Sequence, residues 1–147
     1  MAAERSATTV WDGDLLNGSG VLNTGTGVIK DQAVSWPART EDPGGKTSPE
    51  ELLAAAHASC YAMALSHALS TAGTPPERLE VTAKVGFGPK DGGGMEVKYS
   101  NLSVSGRVPG LDQAGFEEAA KQGEAGCPIS NALRGNIPIS VEATLAS

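Results

Sequence analysis

Two cysteines, Cys60 and Cys127, stand 67 positions apart in a chain of 147 residues that holds only two histidines, His57 and His67. A pair of thiols can exchange electrons, bind a soft metal, or simply fill apolar space. Composition leaves the inert use open, because free cysteine is among the most buried residue types. Cys127 has a physical reason to react. It precedes Pro128, which suits the first position of a helix, so its sulfur faces unpaired N–H groups and the positive end of a helix dipole. Cys60 sits in residues 52–69, a run that nothing breaks as a helix. Apolar burial there favours the neutral thiol, so Cys60 needs a cation nearby to become a nucleophile. Arg39, on the segment feeding that helix, is the candidate. With Glu41 and Asp42 beside it, it also reads as an ordinary surface arginine.

A metal site is the rival use of the same residues. His57 and Cys60 share a helix face at i and i+3, and Cys127 could be a third ligand, whereas His67 lies too far along the axis. Neither an HExxH nor a paired CxxC is present, and no metal is expected. His57 is expected to be a core or interface histidine bonded to a backbone carbonyl.

The helix carrying Cys60 has a defined start. Ser48 can cap it, Pro49 fits its first position, and Glu51 completes a capping box. Almost every face carries Ala, Leu, Met or Cys, which predicts a helix buried all round. Ahead of it, residues 8–11, 20–23 and 27–29 read as short strands of a β-meander, and 36–48 as a polar irregular connection. Behind it, Gly73, Pro75 and Pro76 stop the helix. Residues 79–87 alternate at period two, 90–94 form a hairpin turn, and the alternation resumes over 95–108 through Val97, Tyr99, Leu102, Val104 and Val108. A second helix spans 112–126, capped by Asp112, with Phe116, Ala119 and Ala120 as its apolar stripe. A short helix covers 127–133. A last strand covers 137–145, with Pro138 placing it at an edge or end. The order predicts an α+β fold with a mostly antiparallel sheet, as one domain over 1–147.

A chain of this length buries roughly 68–70% of its unfolded surface, so it needs neither staples nor structural metal. The net charge of −6, without a Lys/Arg run, argues against nucleic acid and anionic membranes as partners. The longest apolar stretch, 52–65, is interrupted by His57 and Ser59 and is too short to cross a bilayer. No apolar signal region opens the chain. A soluble cytoplasmic protein is expected, in a compartment where a structural disulfide is rare.

SPEELLAAAHASCYAMALSHAL, the later GCPIS, and WPAR ahead of them resemble the osmotically inducible protein C (OsmC) branch of the OsmC and organic-hydroperoxide-resistance superfamily. The resemblance runs from Trp11-Asp12-Gly13 through Val108-Pro109-Gly110 to the last strand. It implies an intertwined α+β homodimer, its sheets wrapped around long central helices, and a thiol peroxidase that reduces organic hydroperoxides. Matched position by position, Cys60 corresponds to the peroxidatic cysteine, Cys127 to the resolving one, Glu50 to the family glutamate and Arg39 to the OsmC-branch arginine. The implied reductant is an external dithiol, lipoyl-type or small, and no bound cofactor is implied.

Helix geometry adds a constraint. Glu50 and Cys60 are ten residues apart, about 15 Å along one helix, which one arginine does not easily bridge. Two copies crossing antiparallel near Ala55, midway between them, would place Cys60 and Cys127 of one subunit with Arg39 and Glu50 of the other. Ala54, Ala55, Ala56, Ala58 and Ser59 are small enough to allow the approach. The non-enzymatic alternative is a dimeric protein that binds a lipid or other small ligand in an apolar cleft and uses its cysteines as core filler.

Overall fold

β-Branched and aromatic residues (Thr8, Thr9, Val10, Trp11) favour the first strand, β1 (Ala7–Asp12), which pairs antiparallel with β2 (Ser19–Thr24), Thr9 opposite Leu22 and Trp11 opposite Gly20. Gly20 is needed there: a Cβ would lie 2.9 Å from the Trp11 ring and 2.8 Å from Val34. The third strand of this meander, β3, is Gln32–Val34, antiparallel to β2. It begins later than the sequence predicts. Residues 27–29 fall in a turn, because Gly27 (φ 77°) and Asp31 (φ 52°) bend the chain and the Thr24 N–H closes on the Ile29 carbonyl at 2.9 Å. The connection expected to be irregular opens with a helix, α1 (Trp36–Thr40). Ser35 caps it by accepting from the Ala38 N–H at 3.2 Å, and Pro37 fits its first turn.

The computed structural model describes residues 1–146 and divides into two compact units, Met1–Leu52 and a second from Leu53 onward. The long helix α2 (Pro49–Thr71) starts in the first and continues through the second. Ser48 accepts from the Glu51 N–H at 3.1 Å, but the Glu51 carboxylate accepts from the Thr47 hydroxyl at 2.9 Å, so half of the capping box forms. The expectation of all-round burial is corrected. His57, Tyr61, Leu65 and Leu69, four residues apart, are fully buried, whereas Ala55, Ala56, Ser59 and Met63 are exposed, Met63 at 72%. One chain covers one stripe of an apolar rod. The 23-residue helix is also long and apolar enough, by length and composition alone, to cross a membrane, which the shorter run 52–65 did not suggest.

In the second unit β4 (Arg78–Pro89) and β5 (Met95–Arg107) form the expected ribbon, with Val81 opposite Val104 and Ala83 opposite Leu102. The register shifts at Gly86/Phe87, with the Tyr99 ring lying where a Gly86 side chain would be. That bulge changes the phase of β5. Tyr99 turns outward, and Ser100, Leu102, Val104 and Gly106 face the core. Helix α3 (Gln113–Ala125) is capped by Asp112, which accepts from the Gly115 N–H at 2.8 Å, and α4 (Pro128–Leu133) follows. The final strand, β6 (Ile139–Leu145), pairs parallel with β5, so α3 and α4 serve as the crossover that a parallel pair requires. Each sheet has three strands, β1-β2-β3 and β4-β5-β6, and the pairing is mostly antiparallel. Tyr61, Leu65, Leu69, Leu102, Val104, Val108, Phe116 and Cys127 form the buried core of the second unit.

Candidate functional site

Arg39 occupies the last turn of α1, and Glu50 the first turn of α2. The guanidinium Nε donates to both carboxylate oxygens at 3.1 Å, and Nη2 donates to Oε1 at 2.7 Å. A fork of this kind fixes orientation as well as charge. The Glu50 side chain is only 9% exposed and Arg39 29%, so the pair is shielded from screening by solvent. Trp36 adds an aromatic face with its centroid 6.0 Å from the guanidinium carbon. Arg39 also lines a cavity of about 470 Å³ within the first unit, whose other walls include Trp11, Leu22, Val34 and Leu52.

The second unit holds the thiols. Both are free, and the two cysteines approach to 3.5 Å. Cys127 is fully buried at the N-cap of α4, its sulfur accepting from the Ser130 N–H at 3.5 Å. Cys60 is half-buried against the core. Burial pushes the Cys60 thiol above its ordinary value of 9.0. Cys127 adds to the rise, and the Ile129 backbone N–H opposes it. Packing within one chain therefore holds Cys60 in its protonated form at neutral pH.

His57 is buried as expected, but its partners differ from the expected carbonyl. Nδ1 meets the Ser100 hydroxyl at 2.6 Å, and Nε2 meets the Ser130 hydroxyl at 2.7 Å. A rotatable hydroxyl can donate or accept, so two serines satisfy either neutral tautomer of the ring. Burial lowers the His57 pKa, with Glu124 partly opposing. Among the described residues no group of three or more His, Cys, Asp or Glu side chains could hold a metal ion.

The model of the OsmC-like protein family matches residues 42–142. The chain belongs to the OsmC-like family. Peroxiredoxin OsmC of Escherichia coli (strain K12) is 35% identical over 142 residues, which cover 97% of this chain and 98% of that one. The organic hydroperoxide resistance protein of Xanthomonas axonopodis pv. citri (strain 306) is 32% identical over 114 residues, 76% of this chain and 77% of its own. The crystal structure of an organic hydroperoxide resistance protein from Elizabethkingia anophelis superposes with a TM-score of 0.76 at 26% identity, covering 99% of this chain and all of that one.

The OsmC-like match encloses Glu50, Cys60 and Cys127 and begins three residues after Arg39. Within the first unit the structure joins Arg39 to Glu50, and within the second it joins Cys60 to Cys127. Sequence reasoning missed Ser100 and Ser130 as partners of His57. One signal was available for Ser100: it is a polar residue in step with Leu102 and Val104 on the core face of β5.

Proposed function

We propose that this chain reduces organic hydroperoxides to alcohols, with Cys60 as the attacking thiolate and Cys127 as the thiol that resolves it. The approach of the two reduced cysteines to 3.5 Å carries the reading. Its similarity to the peroxiredoxin OsmC of Escherichia coli and the organic hydroperoxide resistance protein of Xanthomonas supports it.

Since burial in one chain keeps Cys60 protonated, the reaction needs a cation brought to it. We assign that role to the partner's Arg39 in a homodimer, oriented by the partner's Glu50. The exposed face of Ala55, Ala56, Ser59 and Met63 is where a second α2 could cross, and Ala55 lies midway between Glu50 and Cys60. The Cys60 thiolate attacks the distal peroxide oxygen. A sulfur–oxygen bond forms, the O–O bond breaks, and the departing alkoxide takes a proton and leaves as the alcohol. The guanidinium stabilises the charge that develops on the oxygens. Cys127 then attacks the Cys60 sulfenic acid, forming the disulfide and releasing water. An external dithiol, lipoyl-type or small, restores both thiols by exchange and is itself oxidised. The cytoplasm, where dithiols are kept reduced, is the compartment this cycle needs.

The test is consumption of an alkyl hydroperoxide by the purified protein with a dithiol donor. Cys60→Ser should be inactive. Cys127→Ser should complete one turnover and then accumulate overoxidised Cys60. Arg39→Ala should lose about 10²–10³-fold in rate. Failure of the wild type to consume peroxide would overturn the reading.

The apolar 470 Å³ cavity favours a second reading, a non-catalytic protein that binds a lipid or other small ligand. Thiol titration separates the two. One equivalent of alkyl hydroperoxide should remove both thiols of a peroxidase, and a dithiol should return them. A binder keeps them throughout.

A further inference from the structure

His57 lies three residues before Cys60 on α2, and Ser130 three residues after Cys127 on α4. The 2.7 Å contact between them is fully buried and spans 73 residues of sequence. It therefore ties together the two elements that carry the thiols, one helical turn from each sulfur. Ser130 acts at both ends of its own residue. Its hydroxyl meets His57, and its backbone N–H donates to the Cys127 sulfur. The other ring nitrogen is anchored to Ser100 on β5, the central strand of its sheet. Helix α4 has only six residues, too short to hold its own position by internal hydrogen bonding.

We infer that the buried His57–Ser130 link between α2 and α4 is a positioning device that holds the Cys127 thiol against Cys60 and so sets the competition between disulfide closure and overoxidation. The inference rests on the proposed peroxidase cycle. After the first turnover, Cys60 sulfenic acid has two fates. Attack by Cys127 gives the disulfide and water. Attack on a second hydroperoxide gives the sulfinic acid and a second molecule of alcohol, which a dithiol does not reverse. The first path is intramolecular, so its advantage depends on how well the thiol is placed. The side chains of His57 and Ser130 touch no reacting atom in this scheme; they act through α4, whose Ser130 N–H meets the Cys127 sulfur.

The experiment measures the fraction of Cys60 converted to sulfinic acid, by mass spectrometry, over a series of tert-butyl hydroperoxide concentrations, alongside thermal melting. Ser130→Ala removes the link to His57 but keeps the N–H on Cys127. His57→Asn places its amide near Nδ1 and retains only the Ser100 side, whereas His57→Gln reaches the Nε2 position and retains Ser130. Ser100→Ala removes a buried hydrogen bond of the same kind without cutting the link to α4. Expected are a concentration for half-overoxidation lowered about tenfold in Ser130→Ala and His57→Asn, and values near wild type in His57→Gln and Ser100→Ala. Equal sensitivity of Ser130→Ala and wild type overturns the proposal, as does a Ser100→Ala protein as sensitive as Ser130→Ala at the same loss of melting temperature. If the His57 variants do not fold, the two serine variants alone decide it. If wild type ignores the hydroperoxide, the peroxidase reading fails, and disulfide closure driven by diamide then tests positioning alone: Ser130→Ala should close more slowly than wild type and Ser100→Ala, and equal rates overturn it.

Discussion

Cys60 is set against itself within its own chain. Burial and Cys127 favour the neutral thiol, yet the proposed chemistry needs the anion. Reactivity should therefore depend on Arg39. The pH midpoint of Cys60 alkylation by iodoacetamide in Arg39→Met should lie above 9.0, the ordinary thiol value, because the raised pKa leaves less thiolate at any given pH. In wild type it should lie at least one unit lower, each unit corresponding to about 1.36 kcal/mol. Identical midpoints would remove Arg39 from the mechanism. His57 gives a second prediction. Its folded pKa lies below 6.5, so between those two values the unfolded chain binds more protons than the folded one. Stability should be full above pH 6.5 and fall on acidification through that window, by at most about 1.4 kcal/mol per pH unit, before levelling off below it. Melting temperatures from pH 8 to 4.5 check this, and His57→Gln should flatten the curve. Cys60, Cys127, Arg39 and Glu50 could be singled out in the sequence as candidates because their types are informative and sit beside local signals, a cap, a proline and a family pattern. The partners of His57 were not. They lie 43 and 73 residues away, and only folding brings them together.

Elements were legible where one period held throughout. The β4–β5 ribbon and α3 lie close to where alternation and capping placed them. The bulge at Gly86/Phe87 was hidden, because an extra residue changes which positions face the core without changing composition. Helix α1, five residues long, is made by the Ser35 cap and Pro37 rather than by any apolar periodicity. The packing of α3 on α2 was equally invisible, since it depends on a glycine acting as a spacer. A Cβ at Gly123 would lie 3.0 Å from the Leu65 Cα and 3.1 Å from its Cβ. Gly123→Ala should thus force α3 outward and cost about 1–3 kcal/mol, lowering the melting temperature by several degrees, although alanine favours a helix in isolation. An unchanged melting temperature would mean that the contact relaxes freely.

At the scale of the whole molecule, composition cannot distinguish apolar surface covered by the same chain from surface covered by another. That is why α2 reads as wholly buried while Ala55, Ala56, Ser59 and Met63 stand exposed. Val10, Leu15, Leu16 and Val21 in the first unit are exposed as well. So much apolar surface on one small protein suits an interface. Sedimentation should find a dimer, and Ala56→Glu should yield monomers that lose turnover together with the low alkylation midpoint of Cys60. Monomers with full turnover would exclude a shared site. The nearness of Cys127 to Cys60 also bears on endurance. Joining them would close a loop of 67 residues, and such a covalent tie restricts the unfolded ensemble by about 4 kcal/mol on chain-entropy grounds. Calorimetry should find the spent, bridged form melting well above the resting one, so that heat or protease spares the molecules that have just acted. In the proposed cycle a reductant would then work against the fold as well as the bond, which would favour donors able to close a ring of their own.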